Sequence, residues 1–224
     1  MIKGRSFFAL IYLCLLFCID NAIAQTETTI ESGYTKLDTL LNSLGTIQAD
    51  FIQVVKDNRD QEIERSSGQL QIKRPGKFRW EYKKPNLQAL VSDGQRLWIY
   101  DAELEQVTIN RIDASLMGSP AMLLSGKDGL RANFEIEHVE QRTDLVLINL
   151  SPKVSASSDF KLIQVSIRGE QLVGMSLTDK LGQTTSLQFT QFKRNPKLSD
   201  SQFVFTPPKG VDLVDNTRPA GKVK

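Results

Sequence analysis

The sequence predicts a mainly β fold of the α+β class: a single, strongly curved antiparallel sheet of about 11 strands, forming an incomplete, half-open β-barrel under a lid of short helices. Short runs in which apolar and polar residues alternate recur along most of the chain, as in half-buried strands. Turn dipeptides such as Pro75-Gly76 and Asp93-Gly94 separate these runs. Only two segments, 30–44 and 119–124, carry helix signals. So many strands with so few helices imply one twisted sheet, whose concave side the helical segments fill.

Residues 1–24 are expected to be a targeting segment that is removed from the mature protein. A basic start, an apolar run at 7–19 and the small-residue pattern Ala22-Ile23-Ala24 are typical of a secretory signal peptide. A membrane anchor is the alternative, but a spanning helix needs about 20 apolar residues. We therefore expect cleavage before Gln25 and a single domain at 25–224.

Both cysteines of the chain, Cys14 and Cys18, lie in this targeting segment. Leu13 and Phe17 precede them, whereas a lipidation signal needs a small residue there, so lipidation is not expected. Without thiols, the mature chain has no disulfide, thiolate metal site or cysteine nucleophile. Removing residues 1–24 leaves 26 basic and 25 acidic residues, because two of 28 and one of 26 are lost. Nucleic acid is therefore not expected as a partner.

The first mature element is predicted to be a helix at 30–44, ended by Gly45. Its apolar residues at helical spacing are Tyr34, Leu37, Leu40, Leu41 and Leu44. Two strands then follow, at 47–55 and 63–72. The leucine stripe of the helix needs a concave apolar partner, which the sheet supplies.

The segment Gln69–Asp101 is predicted to be a meander of antiparallel strands and the centre of the fold. It holds both tryptophans and two of the four tyrosines of the chain, Tyr82 and Tyr100. One of its strands has Phe78, Trp80 and Tyr82 on one face and charged residues on the other. The aromatic face must therefore cover something apolar.

A short lid helix is predicted after a further strand at 107–109. Ser119-Pro120 fits a helix start, and only four apolar residues, 121–124, follow before Ser125-Gly126. Such a short helix has little stability of its own, so we expect a segment that can move.

The rest of the chain is again predicted to be β, ending in a mobile C-terminal tail within 209–224. The predicted strands are 134–139, 145–150, 162–167, 172–177, 184–192 and 203–205. The strand at 145–150 is apolar on both faces and is expected to be covered on both.

Catalytic and metal chemistry are not predicted. The single histidine, His138, lies in the polar register of its strand, as a solvated residue would. A triad on Ser176 would need a histidine after it, and none follows. Glu135, Glu137 and Glu140 alternate with apolar residues, which is typical of a wet strand face rather than of paired catalytic carboxylates. No cofactor is expected.

Three spaced segments resemble the LolA family of periplasmic lipoprotein carriers. They are the run Lys73–Tyr82 (KRPGKFRWEY), the run Pro85–Thr108 with its LVSDG and LWIYD elements, and FTPPKGV at Phe205–Val211. The resemblance implies an apolar cavity for acyl chains between the sheet and its lid. Without it, the same apolar residues would be read as plain core. The residues expected to line the cavity are Phe51, Leu70, Ile72, Trp80, Leu90, Trp98, Met117, Met122 and Leu123.

The resemblance also assigns roles to Arg74 and Phe78, beside Pro75. Arg74 would be a latch, meaning a side chain that holds the empty cavity shut. It would do so by donating hydrogen bonds to backbone carbonyls near Met122 to Ser125. The residues alone indicate only a surface charge before a turn. Guanidinium suits that role because it offers several fixed donors and stays charged. Phe78 would act in cargo transfer.

The implied function is that of a monomeric periplasmic chaperone. It would take triacylated outer-membrane lipoproteins from the inner-membrane complex LolCDE and pass them to the outer-membrane receptor LolB. Since no ATP-binding motif is visible, the energy would come from the partner. The alternative is a regulatory module on the same fold that senses lipoproteins in the periplasm.

Overall fold

The computed structural model describes residues 29–112, 124–126, 133–154 and 159–217. One helix, α1, spans 29–43, close to its predicted bounds. The strands are β1 (Thr46–Lys56), β2 (Glu62–Lys73), β3 (Lys77–Lys84), β4 (Gln88–Asp93), β5 (Arg96–Asp101), β6 (Gln106–Arg111), β7 (Phe134–Arg142), β8 (Leu145–Pro152), β9 (Phe160–Arg168), β10 (Gln171–Asp179), β11 (Thr184–Arg194) and β12 (Asp212–Asp215). No helix among these residues is long and apolar enough to cross a membrane.

The twelve strands form one open sheet in the order β12-β6-β5-β4-β3-β2-β1-β11-β10-β9-β8-β7. All neighbouring pairs are antiparallel except β12 with β6, which is parallel. The predicted mainly β fold with an unclosed sheet is confirmed. So is the hairpin between β4 and β5, where Gly94 has a φ of 95° that few residues other than glycine adopt.

The inner face of the sheet carries the main hydrophobic core. The face is defined by Ile47, Ala49 and Phe51 of β1 and by the residues in register with them on the other strands. Helix α1 packs its leucine stripe on this face, and Leu37 is fully buried. The predicted partner of the stripe is therefore confirmed.

The C-terminal segment crosses the opposite, outer face of the sheet. We call residues 195–215 the outer strap. The strap contains a 3₁₀ helix, Asp200–Phe203, which packs on β3 and β4, and it ends in β12 beside β6. Phe203 is 1% exposed.

Two sequence predictions about this C-terminal region are wrong. Phe203–Phe205 is not a strand, because a Ser199–Gln202 capping box starts the 3₁₀ helix and the chain then crosses the sheet. Pro207 and Pro208 follow and have no N–H to pair. Asp212–Asp215, placed in the mobile tail, is a paired strand. Residues 218–224 lie outside the described residues.

Strand β8 is buried on both faces, as its sequence predicts. Val146, Ile148 and Leu150 belong to the main core, and Leu147 on the other face is 9% exposed.

Candidate functional site

The turn between β2 and β3 is the place where the cover of the inner face is attached. The backbone N–H of Arg74 donates to the carbonyl of Gly45 at 2.8 Å, just after α1. The N–H of Gly76 donates to the carbonyl of Ser125 at 2.9 Å. The turn thus joins the end of α1 to the segment Leu124–Gly126. We call α1 and Leu124–Gly126 together the inner cover.

The side chain of Arg74 bridges the two parts of the inner cover. Its Nη1 donates to the carbonyl of Leu41 in the last turn of α1, and its Nη2 donates to the carbonyl of Gly126 at 3.3 Å. The Gly126 carbonyl lies one residue beyond the predicted range of Met122 to Ser125. The contact with α1 was not predicted.

Charge favours Arg74 in this position. Helix C-terminal carbonyls carry partial negative charge, so a cation beside Leu41 is stabilised. The side chain is half-buried, and this burial lowers the pKa of Arg74 from its ordinary value. Both acceptors that it contacts are carbonyl oxygens, which a fixed fork of donors satisfies better than a single ammonium group.

A buried serine fixes the shape of the turn from below. The hydroxyl of Ser92, which is fully buried, donates to the carbonyl of Gly76 at 2.7 Å and accepts from the N–H of Gly94 at 3.1 Å. Gly76 has a φ of 78°, a conformation that suits glycine. The turn that carries Arg74 is therefore held in one geometry.

Most of the predicted cavity residues that the structure describes lie on the inner face. Phe51, Leu70, Ile72, Phe78 and Trp80 are buried there in the main core, with Leu90 partly buried against it. Phe78 itself is fully buried under the inner cover. Met117, Met122 and Leu123 lie outside the described residues.

The assignment of Trp98 to the cavity is wrong. Trp80 is in register with Leu90, and Leu90 with Ile99. Since neighbouring residues of a strand point to opposite faces, Trp98 lies on the outer face, opposite Val91. It therefore belongs to the layer under the outer strap and not to the lining of the inner face.

An aromatic cluster occupies the middle of the inner face. The ring of Phe51 lies 5.1 Å from that of Trp80 and 5.2 Å from that of Tyr82, between centroids. Phe51 is in register with Gly68, where an added Cβ would lie 1.8 Å from the carbonyl oxygen of Glu81. Only glycine fits at this position. The cluster thus depends on a close backbone approach that the hydrophobic pattern does not reveal.

Polar groups adjoin this cluster. The hydroxyl of Tyr82 donates to Oε1 of Gln53 at 3.1 Å. Burial raises the pKa of Tyr82 to about 12, the charge of Glu64 acts in the same direction, and the hydrogen bond to Gln53 opposes it. The indole N–H of Trp80 lies near the hydroxyl of Tyr82 and also opposes the rise of its pKa. Its geometry nevertheless makes no hydrogen bond with any described residue. The hydroxyl of Ser66 is buried without a partner in the same way.

The other candidate chemistry of the sequence stays dispersed. His138 is exposed on β7. Within the described ranges, no group of three or more histidine, cysteine, aspartate or glutamate residues is arranged to hold a metal ion. A separate groove of about 920 Å³ lies between the flank of α1 and the turn of β9 and β10, with Glu170 and Arg194 at its wall.

Sequence reasoning missed several residues that shape the site. Ser92 and Gly68 look like ordinary strand residues, and only the folded register shows what they contact. The carbonyls of Leu41 and Gly126 have no side-chain signal at all. The pattern Ser199-Asp-Ser-Gln202 is a recognisable capping box and could have located the 3₁₀ helix.

The chain is similar to proteins of one family over most of its length. The family model described as "Outer membrane lipoprotein carrier protein LolA" matches residues 42–206. The outer-membrane lipoprotein carrier protein of Legionella pneumophila (strain Lens) is 40% identical over 200 residues, covering 89% of this chain and 98% of that protein. Its counterpart in Methylococcus capsulatus (strain Bath) is 39% identical over 193 residues, with coverages of 86% and 91%.

The fold is also similar to that of a solved structure. An uncharacterized conserved protein from Thermus thermophilus superposes with a TM-score of 0.51 at 16% identity, covering 82% of this chain and 99% of that one. At this identity the likeness concerns the fold alone.

Proposed function

This chain belongs to the LolA family of outer membrane lipoprotein carrier proteins, and from that premise we propose that it carries lipoproteins by shielding their acyl chains on its inner face. The observation that carries the proposal is the contact of Arg74 with both parts of the inner cover. Because Arg74 joins the two parts of the cover by hydrogen bonds to two carbonyls and not by strand pairing, the cover can open there without unfolding the sheet.

The inner face has the chemistry that an acyl chain needs. It packs against the leucines of α1, so the inner cover must move before cargo enters. Burying an acyl chain is worth about 0.8 kcal/mol per methylene, so several chains supply ample free energy to displace the cover. Phe78 is buried next to the turn of Arg74 and would become accessible early in that movement.

The partners follow from the direction of transport. The protein would receive triacylated lipoproteins from the inner-membrane complex LolCDE, act as a monomer in the periplasm after cleavage before Gln25, and deliver to the receptor LolB. The role involves no bond-breaking chemistry in the carrier, so it is not an enzyme. A sensor on the same fold would bind cargo as well but would have no delivery step.

Mass spectrometry of the protein purified from periplasm tests the proposal. We expect a fraction of the molecules to carry triacylated lipoprotein and to start at Gln25. A synthetic triacylated lipopeptide should also displace a fluorescent hydrophobic probe from the native protein. A protein that binds neither cargo nor probe without denaturant would contradict the proposal.

Arg74→Leu separates a carrier from a sensor. The change keeps aliphatic bulk and removes every donor, so the carbonyls of Leu41 and Gly126 lose their partner at a cost of about 1–3 kcal/mol to the closed state. The open state is then favoured without cargo, which strengthens loading and weakens release by the same factor. We expect this variant to load lipoprotein and retain it.

The measurement is the rate of transfer from the purified loaded protein to the receptor. Arg79→Leu is a matched control, because Arg79 lies on the outer face of β3 and its Nη1 donates to the carbonyl of Gln202 in the strap. The control should transfer like the parent. If Arg74→Leu transferred cargo as fast as the parent, Arg74 would not be a latch, and the interpretation as a surface charge before a turn would stand.

A further inference from the structure

Two polar groups of the inner face are buried without a partner. The indole Nε1 of Trp80 and the Oγ of Ser66 make no hydrogen bond to the described residues, although each residue is only 4% exposed. A buried indole N–H ordinarily finds an acceptor, and one left unpaired costs free energy. Phenylalanine in place of Trp80 and alanine in place of Ser66 would avoid this cost. The unpaired groups therefore need an explanation in another state of the molecule.

These two groups lie where the inner face changes from apolar to polar. Along β3, the inner-face side chains run from Phe78 near the turn through Trp80 to Tyr82. On the adjoining strands Gln53 faces Ser66 across β1 and β2, close to the hydroxyl of Tyr82. On β1–β3 the inner face thus runs from apolar residues near the turn to a group of polar residues near Tyr82, which we call the polar end.

The polar end offers donors to a ligand. The indole of Trp80 can only donate, and the hydroxyl of Ser66 can donate or accept. The hydroxyl of Tyr82 already donates to Gln53. A molecule that satisfies such a site supplies oxygen acceptors with no charge, on an otherwise apolar body. Ester and amide carbonyls of acyl chains have this chemistry.

We propose that Trp80 Nε1 and Ser66 Oγ bind the linkage carbonyl oxygens of the lipid cargo, with Tyr82 and Gln53 beside them. The proposal rests on the carrier function above and adds the orientation of the cargo. The acyl tails lie toward Phe78, and the peptide leaves at the polar end. Loading pairs two groups that have no partner among the described residues, so the linkage contributes to affinity in addition to the acyl chains.

The test compares two synthetic lipopeptides with the same three chains. In one, two chains are joined by esters and one by an amide; in the other, both ester carbonyls are replaced by methylenes, giving ethers. Competition against a fluorescent hydrophobic probe measures both affinities on the full mature chain. We expect the ester lipopeptide to bind the parent about two- to tenfold more tightly than the ether, the range of one net hydrogen bond.

Trp80→Phe keeps an aromatic ring and removes the N–H, and Ser66→Ala removes the hydroxyl. Each variant should reduce the ratio of ester to ether affinity, and the double variant should bring it to about one. Because the ratio is taken within one protein, changes in packing or folded fraction cancel. Trp98→Phe, on the outer face, is the control and should keep the ratio of the parent.

The outcomes separate this inference from the carrier function. Equal affinity of the parent for the two lipopeptides, or an unchanged ratio in the double variant, overturns the carbonyl site while both lipopeptides still bind. If neither lipopeptide binds, the carrier function and the carbonyl site are overturned together.

Discussion

The sheet is covered on both faces, but the outer strap and the inner cover are attached in different ways. The strap is continuous with β11, places Phe203 in a buried position and ends as a backbone ladder on β6. The segment Leu124–Gly126 of the inner cover is joined to the turn through the carbonyls of Ser125 and Gly126. The strap is thus part of the folded unit by strand pairing, whereas Leu124–Gly126 is held by two hydrogen bonds to the turn and by the buried side chain of Leu124.

Helix α1 differs from Leu124–Gly126 in that both its ends are tied down. Near its end, the side chain of Asn195 accepts from the N–H of Gly45 and donates to the carbonyl of Ser43. Near its start, the hydroxyl of Tyr34 accepts from the N–H of Ile136 at 3.0 Å. We therefore expect an opening at Arg74 to move Leu124–Gly126 more readily than the whole helix.

The largest expected effect comes from the strap. Phe203→Ala should lower the free energy of unfolding by about 3–5 kcal/mol, because a fully buried aromatic ring is lost. Lipopeptide affinity of the folded fraction should not change, because cargo is proposed to bind the inner face. Urea unfolding measures the first quantity and probe competition the second.

Val204→Ala is the control for that experiment. Val204 is 61% exposed, so its truncation should change stability by less than about 0.5 kcal/mol. If Phe203→Ala were as mild as this control, the strap would be no more permanent than the inner cover.

A smaller effect is expected where α1 meets the edge strand β7. Tyr34→Phe should lower the free energy of unfolding by about 1 kcal/mol, because the N–H of Ile136 loses its acceptor. Urea unfolding measures the change. Tyr100→Phe, which keeps the ring contact with Phe205 on the outer face, is the matched control. No difference between the two variants would mean that the start of α1 is not tied to β7.

The smallest effect should come from the ion pairs between strap and sheet. Asp200 lies 2.8 Å from Lys73 Nζ and 3.0 Å from Lys77 Nζ, in an exposed position where such pairs contribute little. Hydrogen bonding to Lys73, then to Lys77, lowers the pKa of Asp200 below its ordinary 3.8. Because the folded pKa is depressed, the stabilisation is present above pH 3.8 and is lost as the pH falls through the folded pKa.

Asp200→Asn should therefore lower the urea midpoint slightly at neutral pH and low salt. The parent and the variant should converge as the pH is taken below 3.8, or as salt is raised. If the urea midpoints of parent and variant still differed in acid, the effect would come from packing of the 3₁₀ helix and not from the ion pairs.

Most of the fold is predictable from the sequence because its strands are half-buried and alternate clearly. Phe78, Trp80 and Tyr82 show this period, and all three do lie on the inner face. The run Leu97-Trp98-Ile99-Tyr100 is apolar at every position, since both faces of β5 are covered, so the period is lost and the face of Trp98 cannot be read. The pairing of Leu90 with Ile99 decides it.

The site is less predictable than the fold, because its contacts join distant parts of the chain through the backbone. The role of Arg74 comes from a resemblance, and the sequence alone offers only a cation before a turn. The carbonyl of Leu41 lies 33 residues earlier in the chain, and that of Gly126 lies 52 residues later. Carbonyls leave no trace in residue identity, so no pattern indicates which ones an arginine will meet.

The central claim is that Arg74 holds the inner cover closed while the strap stays in place regardless. Amide hydrogen exchange of the empty protein tests it at two N–H groups, that of Gly76, which donates to Ser125, and that of Asp212, which donates to Glu105. In Arg74→Leu we predict exchange at Gly76 about 5- to 150-fold faster than in the parent, as expected for a loss of about 1–3 kcal/mol, with exchange at Asp212 unchanged. Unchanged exchange at Gly76, or equal acceleration at both amides, would contradict the account.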